Sequence, residues 1–92
     1  MYKMEFEIKS NSSGWGELAW KYSPNEEYLA QNSSVIECIH DGKWHKYSVE
    51  MPLKKSLRVI KIKPSSGEGE MAIRNIELRT NDGYLIRDWP IN

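Results

Sequence analysis

The stretch that decides the fold runs from Asp41 to Leu78: DGKWHKYSVEMPLKKSLRVIKIKPSSGEGEMAIRNIEL. It opens on Asp41-Gly42, a tight-turn dipeptide, because glycine adopts a positive φ at no steric cost. A returning strand follows over residues 43–51, with Tyr47, Val49 and Met51 on one face. Trp44 falls out of that register, so it either faces the other way or sits behind a bulge. Pro52 ends the strand. Residues 57–63 form the next one, with Ile60 and Ile62 on one side, and residues 64–69 (PSSGEG) form a loop. Met71, Ile73, Ile76 and Leu78 line a further strand, but the spacing jumps between Ile73 and Ile76. A one-residue bulge at Arg74-Asn75 restores the face.

Outward from this stretch the same period recurs. Residues 2–9 alternate strictly, with Tyr2, Met4, Phe6 and Ile8 on one face and Lys3, Glu5, Glu7 and Lys9 on the other. That is a half-buried strand. SNSSG at 10–14 is a turn cluster, and 15–22 read as a second strand with Leu18, Trp20 and Tyr22 on one face. Residues 23–34 are polar and irregular, with a helix-start signal at Pro24–Tyr28. Residues 35–40 form a third strand that the Asp41-Gly42 turn folds back as a hairpin. Asn81-Asp82-Gly83 makes another turn, and Tyr84–Trp89 is the last strand, closed by Pro90. Strands this short and this regularly spaced make the chain a single all-β sandwich, residues 1–92, with about seven to eight strands. The tight trimming at both ends suits a domain excised from a larger protein.

The composition narrows the function classes. The chain has 92 residues, with 13 Lys+Arg against 13 Asp+Glu, so its formal net charge is zero. A nucleic-acid binder relying on a broad basic field is not expected. No apolar run approaches the ~20 residues that span a bilayer, so membrane insertion is not expected either. MYKMEFEIKS reads as strand rather than as a signal peptide. One cysteine, Cys38, excludes an intrachain disulfide. Neither compartment is favoured: extracellular, envelope and cytoplasmic settings all fit. The acceptor-like triplets at Asn11 and Asn32 are chance matches in a chain rich in Ser and Asn.

The order Asp41-Gly42-Lys43-Trp44-His45-Lys46-Tyr47, Met51-Pro52, Ile60 to Pro64, Gly69 and Ala72 to Leu78 resembles a group of jelly-roll domains. There a DG-x-W-H-x-Y turn and strand precede an L-R-L-D-P strand, a Gly-containing loop and an I-x-x-I-x-L strand. The group is similar to galactose-binding-like carbohydrate-binding modules, often appended to bacterial glycosyltransferases, sulfatases and glycoside-degrading enzymes. The match covers residues 41–78 well and 1–40 loosely. It implies an antiparallel jelly roll, a glycan ligand, a parent or partner carbohydrate-active enzyme, and in some members a structural calcium. Lys61 and Lys63 depart from the pattern, which has Arg and Asp at those places.

Sugar binding needs flat rings to stack on pyranose C–H faces and a few polar groups to fix hydroxyls. The candidate ligand-binding residues are therefore Trp15, Glu17, Trp20, Tyr22, Tyr28, Trp44 and His45, centred on the irregular loop with Lys21, Asn25, Glu26 and Glu27 nearby. Trp20 and Tyr22 share a face with Leu18, so a core role fits them too. Trp44 equally fits a plug at one end of the sandwich, and Trp89 a ring that ties down the last strand. Cys38, His40, Asp41 and His45 cluster in sequence but match no common catalytic or zinc spacing. A non-enzymatic module is the expectation. Its rival is a β-sandwich that docks or self-associates and takes no sugar.

Overall fold

Alternation over Tyr2–Ser10 sends Met4, Phe6 and Ile8 to one side of a strand, and each of the three is at most 1% exposed. That strand, β1, organises one of two sheets in the computed structural model, which describes residues 2–55 and 57–89. The others are β2 (Gly16–Lys21), β3 (Ser33–Ile36), β4 (Trp44–Met51), β5 (Val59–Lys63), β6 (Met71–Thr80) and β7 (Leu85–Trp89). One sheet has the order β4-β1-β6-β7 and the other β3-β2-β5, with every pairing antiparallel. The protein is thus all-β and sandwich-like, as its period-two patterning predicts. Among the described residues no helix is long and apolar enough to cross a membrane.

The inner faces share one core. Met4, Phe6, Ile8, Met51, Ile76 and Leu78 come from the larger sheet, and Leu18, Trp20 and Ile36 from the smaller. Each such side chain contributes roughly 1.5–3 kcal/mol by leaving water. Phe6 and its cross-strand partner Tyr47 stack with ring centroids 6.0 Å apart. Trp89 is half-buried against the same cluster, as expected of a ring that ties down β7.

The bulge expected at Arg74-Asn75 is present. Glu7 pairs with Arg74 but Glu5 with Glu77, and Asn75 takes a φ of 56°. Asparagine tolerates that left-handed conformation better than most residues. Ile76 and Leu78 thereby return to the core at 7% and 4% exposure. The NDG turn also forms: Gly83 has a φ of 96° and its N–H donates to the Thr80 carbonyl at 2.9 Å, joining β6 to β7. Pro90, expected to close β7, lies outside the described residues.

The Asp41-Gly42 hairpin is corrected. Gly42 does turn, with a φ of 76°, but β3 pairs with β2 while β4 pairs with β1. The turn carries the chain from one sheet to the other. β3 ends at Ile36, and the Gly42 N–H donates to the Ser10 carbonyl at 2.8 Å instead of closing a ladder. Trp44 simply faces the other way, since β4 runs unbroken in register from Lys9↔Trp44 to Tyr2↔Met51. The helical turn expected at Pro24–Tyr28 is replaced by a bend, with Glu26 N–H donating to the Ser23 carbonyl at 3.3 Å, and a 3-10 turn at Ala30–Asn32.

The outer face of the larger sheet is closed by its own charges. Glu5 meets Lys3 at 4.0 Å, Lys46 at 3.8 Å and Arg79 at 3.3 Å, while Arg79 also reaches Glu77 and Arg74 reaches Glu7. The outer face of the smaller sheet is not balanced in this way, and it carries the candidate site.

Candidate binding face

β2 alternates Leu18 and Trp20 inward with Glu17, Ala19 and Lys21 outward. Register aligns Glu17 with Lys63, Ala19 with Lys61 and Lys21 with Val59 on β5, and Glu17 with Val35 and Ala19 with Ser33 on β3. Since Ile60 and Ile62 pack on the core, Lys61 and Lys63 project outward. Three lysines and one glutamate therefore share this face.

Tyr28, from the irregular loop, completes the arrangement. The Lys21 Nζ lies 4.7 Å and the Lys61 Nζ 4.3 Å from its ring centroid. Each contact is worth roughly 0.5–1 kcal/mol at an exposed site. Lys61 also meets Glu17 at 3.5 Å. Ala19, between the two lysines, is 1% exposed although its strand position faces outward. Tyr28 itself keeps 38% exposure. Among the described residues Lys21 and Lys63 make no ion pair, so two ammonium groups remain to meet an external anion. Lys21 instead donates to the Pro24 carbonyl at 3.4 Å.

The loop that delivers Tyr28 is tied down at its start. The Glu26 carboxylate accepts the N–H groups of Tyr22 and Ser23. The Asn25 N–H reaches Ser23 Oγ at 3.4 Å. Glu26, expected as a hydroxyl partner, thus holds the loop's own backbone instead.

The seven expected site residues divide. Glu17 and Tyr28 come together on this face. Trp15, just before β2, is 58% exposed and shares a hollow of about 240 Å³ with Gly14, Glu37 and Cys38. Trp20 is corrected: at 2% exposure it fills the core, because position 20 lies on the inward side with Leu18. Tyr22 is a half-buried rim residue that packs on the core and whose hydroxyl accepts the Lys54 N–H at 3.2 Å. Trp44 and His45 sit on β4, in the other sheet. Trp44 does not plug the end of the fold; its ring lies on the outer face under the Arg74 guanidinium, 3.9 Å away. His45 Nε2 meets the Asp41 carboxylate at 2.9 and 3.0 Å. The Lys43 backbone N–H, then His45, hold the Asp41 carboxyl below the usual carboxylate range. This pair braces the turn.

Lys61 and Lys63 were missing from the expected set. Their signal was present, since Ile60 and Ile62 inward force their neighbours outward. Among the described residues no three His, Cys, Asp or Glu side chains converge to hold a metal ion. The calcium expectation therefore acquires no ligand set here.

Comparison with known proteins returns no matching family model, no matching curated protein and no matching solved structure.

Proposed function

We propose that this chain is a non-catalytic carbohydrate-binding-like module, accessory to a carbohydrate-active enzyme, and that it takes an acidic glycan across the outer face of the β3-β2-β5 sheet. The observation that carries this is Tyr28 held between Lys21 and Lys61, with Lys63 on the same face. Ammonium groups clustered around an aromatic ring suit a uronate or sulfated sugar better than a neutral one. From Glu17 to Lys21 the strand rises about 13 Å, room for more than one sugar ring. A galactose-binding-like jelly roll is the finer fold proposed with it, on the strength of the ordered turn, strand and bulge over Asp41–Leu78.

A panel of acidic and neutral oligosaccharides tests this. Acidic glycans should bind weakly and lose about tenfold in affinity in Tyr28→Ala and in Lys61→Glu, since each removes on the order of 1 kcal/mol. Equal retention of neutral and acidic glycans, or no binding at all, removes the reading. Protein docking is the second reading, favoured by one observation: Tyr84, Leu85 and Ile86 are 73%, 49% and 53% exposed at the start of β7, an outermost strand. A concentration-dependent dimer in sedimentation, with no glycan bound, selects it.

A further inference from the structure

Away from the lysine face, the chain leaves β4 at Met51 and crosses to the other sheet, joining β5 at Val59. Backbone hydrogen bonds pin this crossing: Leu53 N–H to the Met51 carbonyl at 2.9 Å, and Arg58 N–H to the Lys21 carbonyl at 3.1 Å. The Lys54 N–H is held by the Tyr22 hydroxyl at 3.2 Å. Between the pinned segment and the start of β7 lies a cavity of about 470 Å³. That is within the roughly 300–1,000 Å³ of small-molecule sites.

Its lining has two chemistries. Leu53, Leu57, Leu78 and Ile86 give it an apolar wall, with Tyr2 at the end of β1. Among the described residues Lys54, Lys55 and Arg87 supply the charges that line it, all positive. Among the described residues none of these three cations forms an ion pair. A bare phosphate would gain nothing from the leucines. An uncharged hydrocarbon would gain nothing from the cations. A ligand with an anionic head on an apolar body uses both.

We propose that this cavity binds an amphiphilic anion, a carboxylate or phosphate group on an aliphatic chain, with Lys54, Lys55 and Arg87 taking the head and Leu53, Leu57 and Ile86 the chain. The site is separate from the lysine face of the smaller sheet and does not depend on the glycan reading.

Decanoate is the probe, with decanol as its uncharged counterpart, read by amide chemical-shift changes in the intact chain. Decanoate should move the amides of residues 53–55, Leu57, Leu78, Ile86 and Arg87, with a Kd of about 0.1–1 mM, the range expected for so small a ligand. The double variant Lys54→Glu/Lys55→Glu should weaken it at least about tenfold, since it turns charge attraction into repulsion. Ile86→Glu should do the same from the apolar side. Both variants change exposed side chains only, and unchanged amide shifts elsewhere verify the fold. Phosphatidylglycerol vesicles separate two sources of the same chemistry. Cosedimentation lost in the double variant assigns a membrane lipid; decanoate binding without cosedimentation assigns a free amphiphile. Decanol binding as tightly as decanoate, shifts confined to other residues, or an unaffected double variant overturns the proposal.

Discussion

Ser10 Oγ lies 2.7 Å from His40 Nδ1, and the other ring nitrogen decides which of the two donates. His40 Nε2 is 2.9 Å from the Gly14 carbonyl, which only accepts, so Nε2 carries the proton. In the neutral ring Nδ1 then accepts from the Ser10 hydroxyl. Ser10 Oγ in turn accepts the Ser12 N–H at 3.0 Å. The pair has the separation of a nucleophile and its base. Yet Ser10 is 1% exposed, so no substrate reaches its oxygen. It is a brace joining the end of β1, the loop before β2 and the segment after β3.

Ser10→Ala should therefore cost about 1 kcal/mol, because it leaves a half-buried N–H and a ring nitrogen without their partner. Urea denaturation measures it. Ring nitrogen shifts should report Nε2 as the protonated nitrogen in the native chain. A stability change within experimental error would make the brace ornamental.

Glu7 gives a pH prediction. Its carboxyl is held below the usual carboxylate range first by the Asn75 side-chain amide, then by Arg74. A lowered folded value contributes stability above the unfolded value, and that stability is lost as pH falls through the folded one. Glu7 should thus titrate below 4.5 by NMR. Asn75→Gly keeps the left-handed backbone but removes the amide, so the Glu7 midpoint should rise and part of the acid-side loss of stability should vanish. Asn75→Val also removes the amide and places a branched residue at a φ of 56°, so it should lose about 1–2 kcal/mol more than Asn75→Gly, a difference independent of pH.

Cys38 should be a slow thiol. Burial raises its ionisation above the ordinary cysteine value. Its S–H also donates to the Pro64 carbonyl at 2.9 Å, which favours the protonated form. Iodoacetamide should modify the folded chain more slowly than free cysteine at neutral pH, since only the thiolate attacks. The rate should keep climbing with pH beyond the point where free cysteine plateaus. Labelling as fast as the free amino acid would show that the contact opens readily.

Local features were legible in the sequence and long-range ones were not. Alternation over Tyr2–Ile8 named the core face of β1, and the jump from Ile73 to Ile76 located the bulge at Asn75. Both follow from a period of two, which one strand carries alone. Asp41-Gly42 announced a turn, but a turn dipeptide does not say which strand receives the chain beyond it. The β3-to-β4 sheet switch depends on His40 meeting Ser10 and Gly14, residues far back in the chain. The two polar loops at that end interlock in the same hidden way: Ser12 Oγ donates to the Glu68 carbonyl at 2.7 Å, and the Glu70 N–H to Asn11 Oδ1 at 2.8 Å. Tyr28 was legible as an exposed ring. Its lysine partners were not, because Lys61 is 33 positions later and reaches it only through β2-β5 pairing.

Trp20 separates core from ligand roles. Trp20→Ala should remove about 3–5 kcal/mol, enough to threaten so small a domain. Its indole Nε1 is buried without a hydrogen-bond partner among the described residues. Trp20→Phe removes that orphan donor together with some packing, so its cost should be well below that of alanine. Thermal melts of the two variants measure the difference. Equal losses would mean that the ring packing retained by Phe contributes nothing, against the core role of Trp20.

Gly16 and Gly42 should fail for opposite reasons when replaced by alanine. A Cβ on Gly42 meets nothing within 4 Å, but the φ of 76° is left-handed. Gly42→Ala should cost about 1–2 kcal/mol, and Gly42→Asn less, since asparagine tolerates that conformation. A Cβ on Gly16 would lie 2.7 Å from the Lys63 carbonyl oxygen and 2.8 Å from that of Pro64. Those are backbone atoms at the end of β5, so relief requires moving the strand that carries Lys61 and Lys63. Gly16→Ala should cost about 1–3 kcal/mol, and asparagine should make it worse. It should also shift the amides of Lys61 and Tyr28, whereas Gly42→Ala leaves them in place. Rescue of position 16 by asparagine, or an undisturbed Tyr28 amide in Gly16→Ala, would contradict the close approach of β2 to the end of β5.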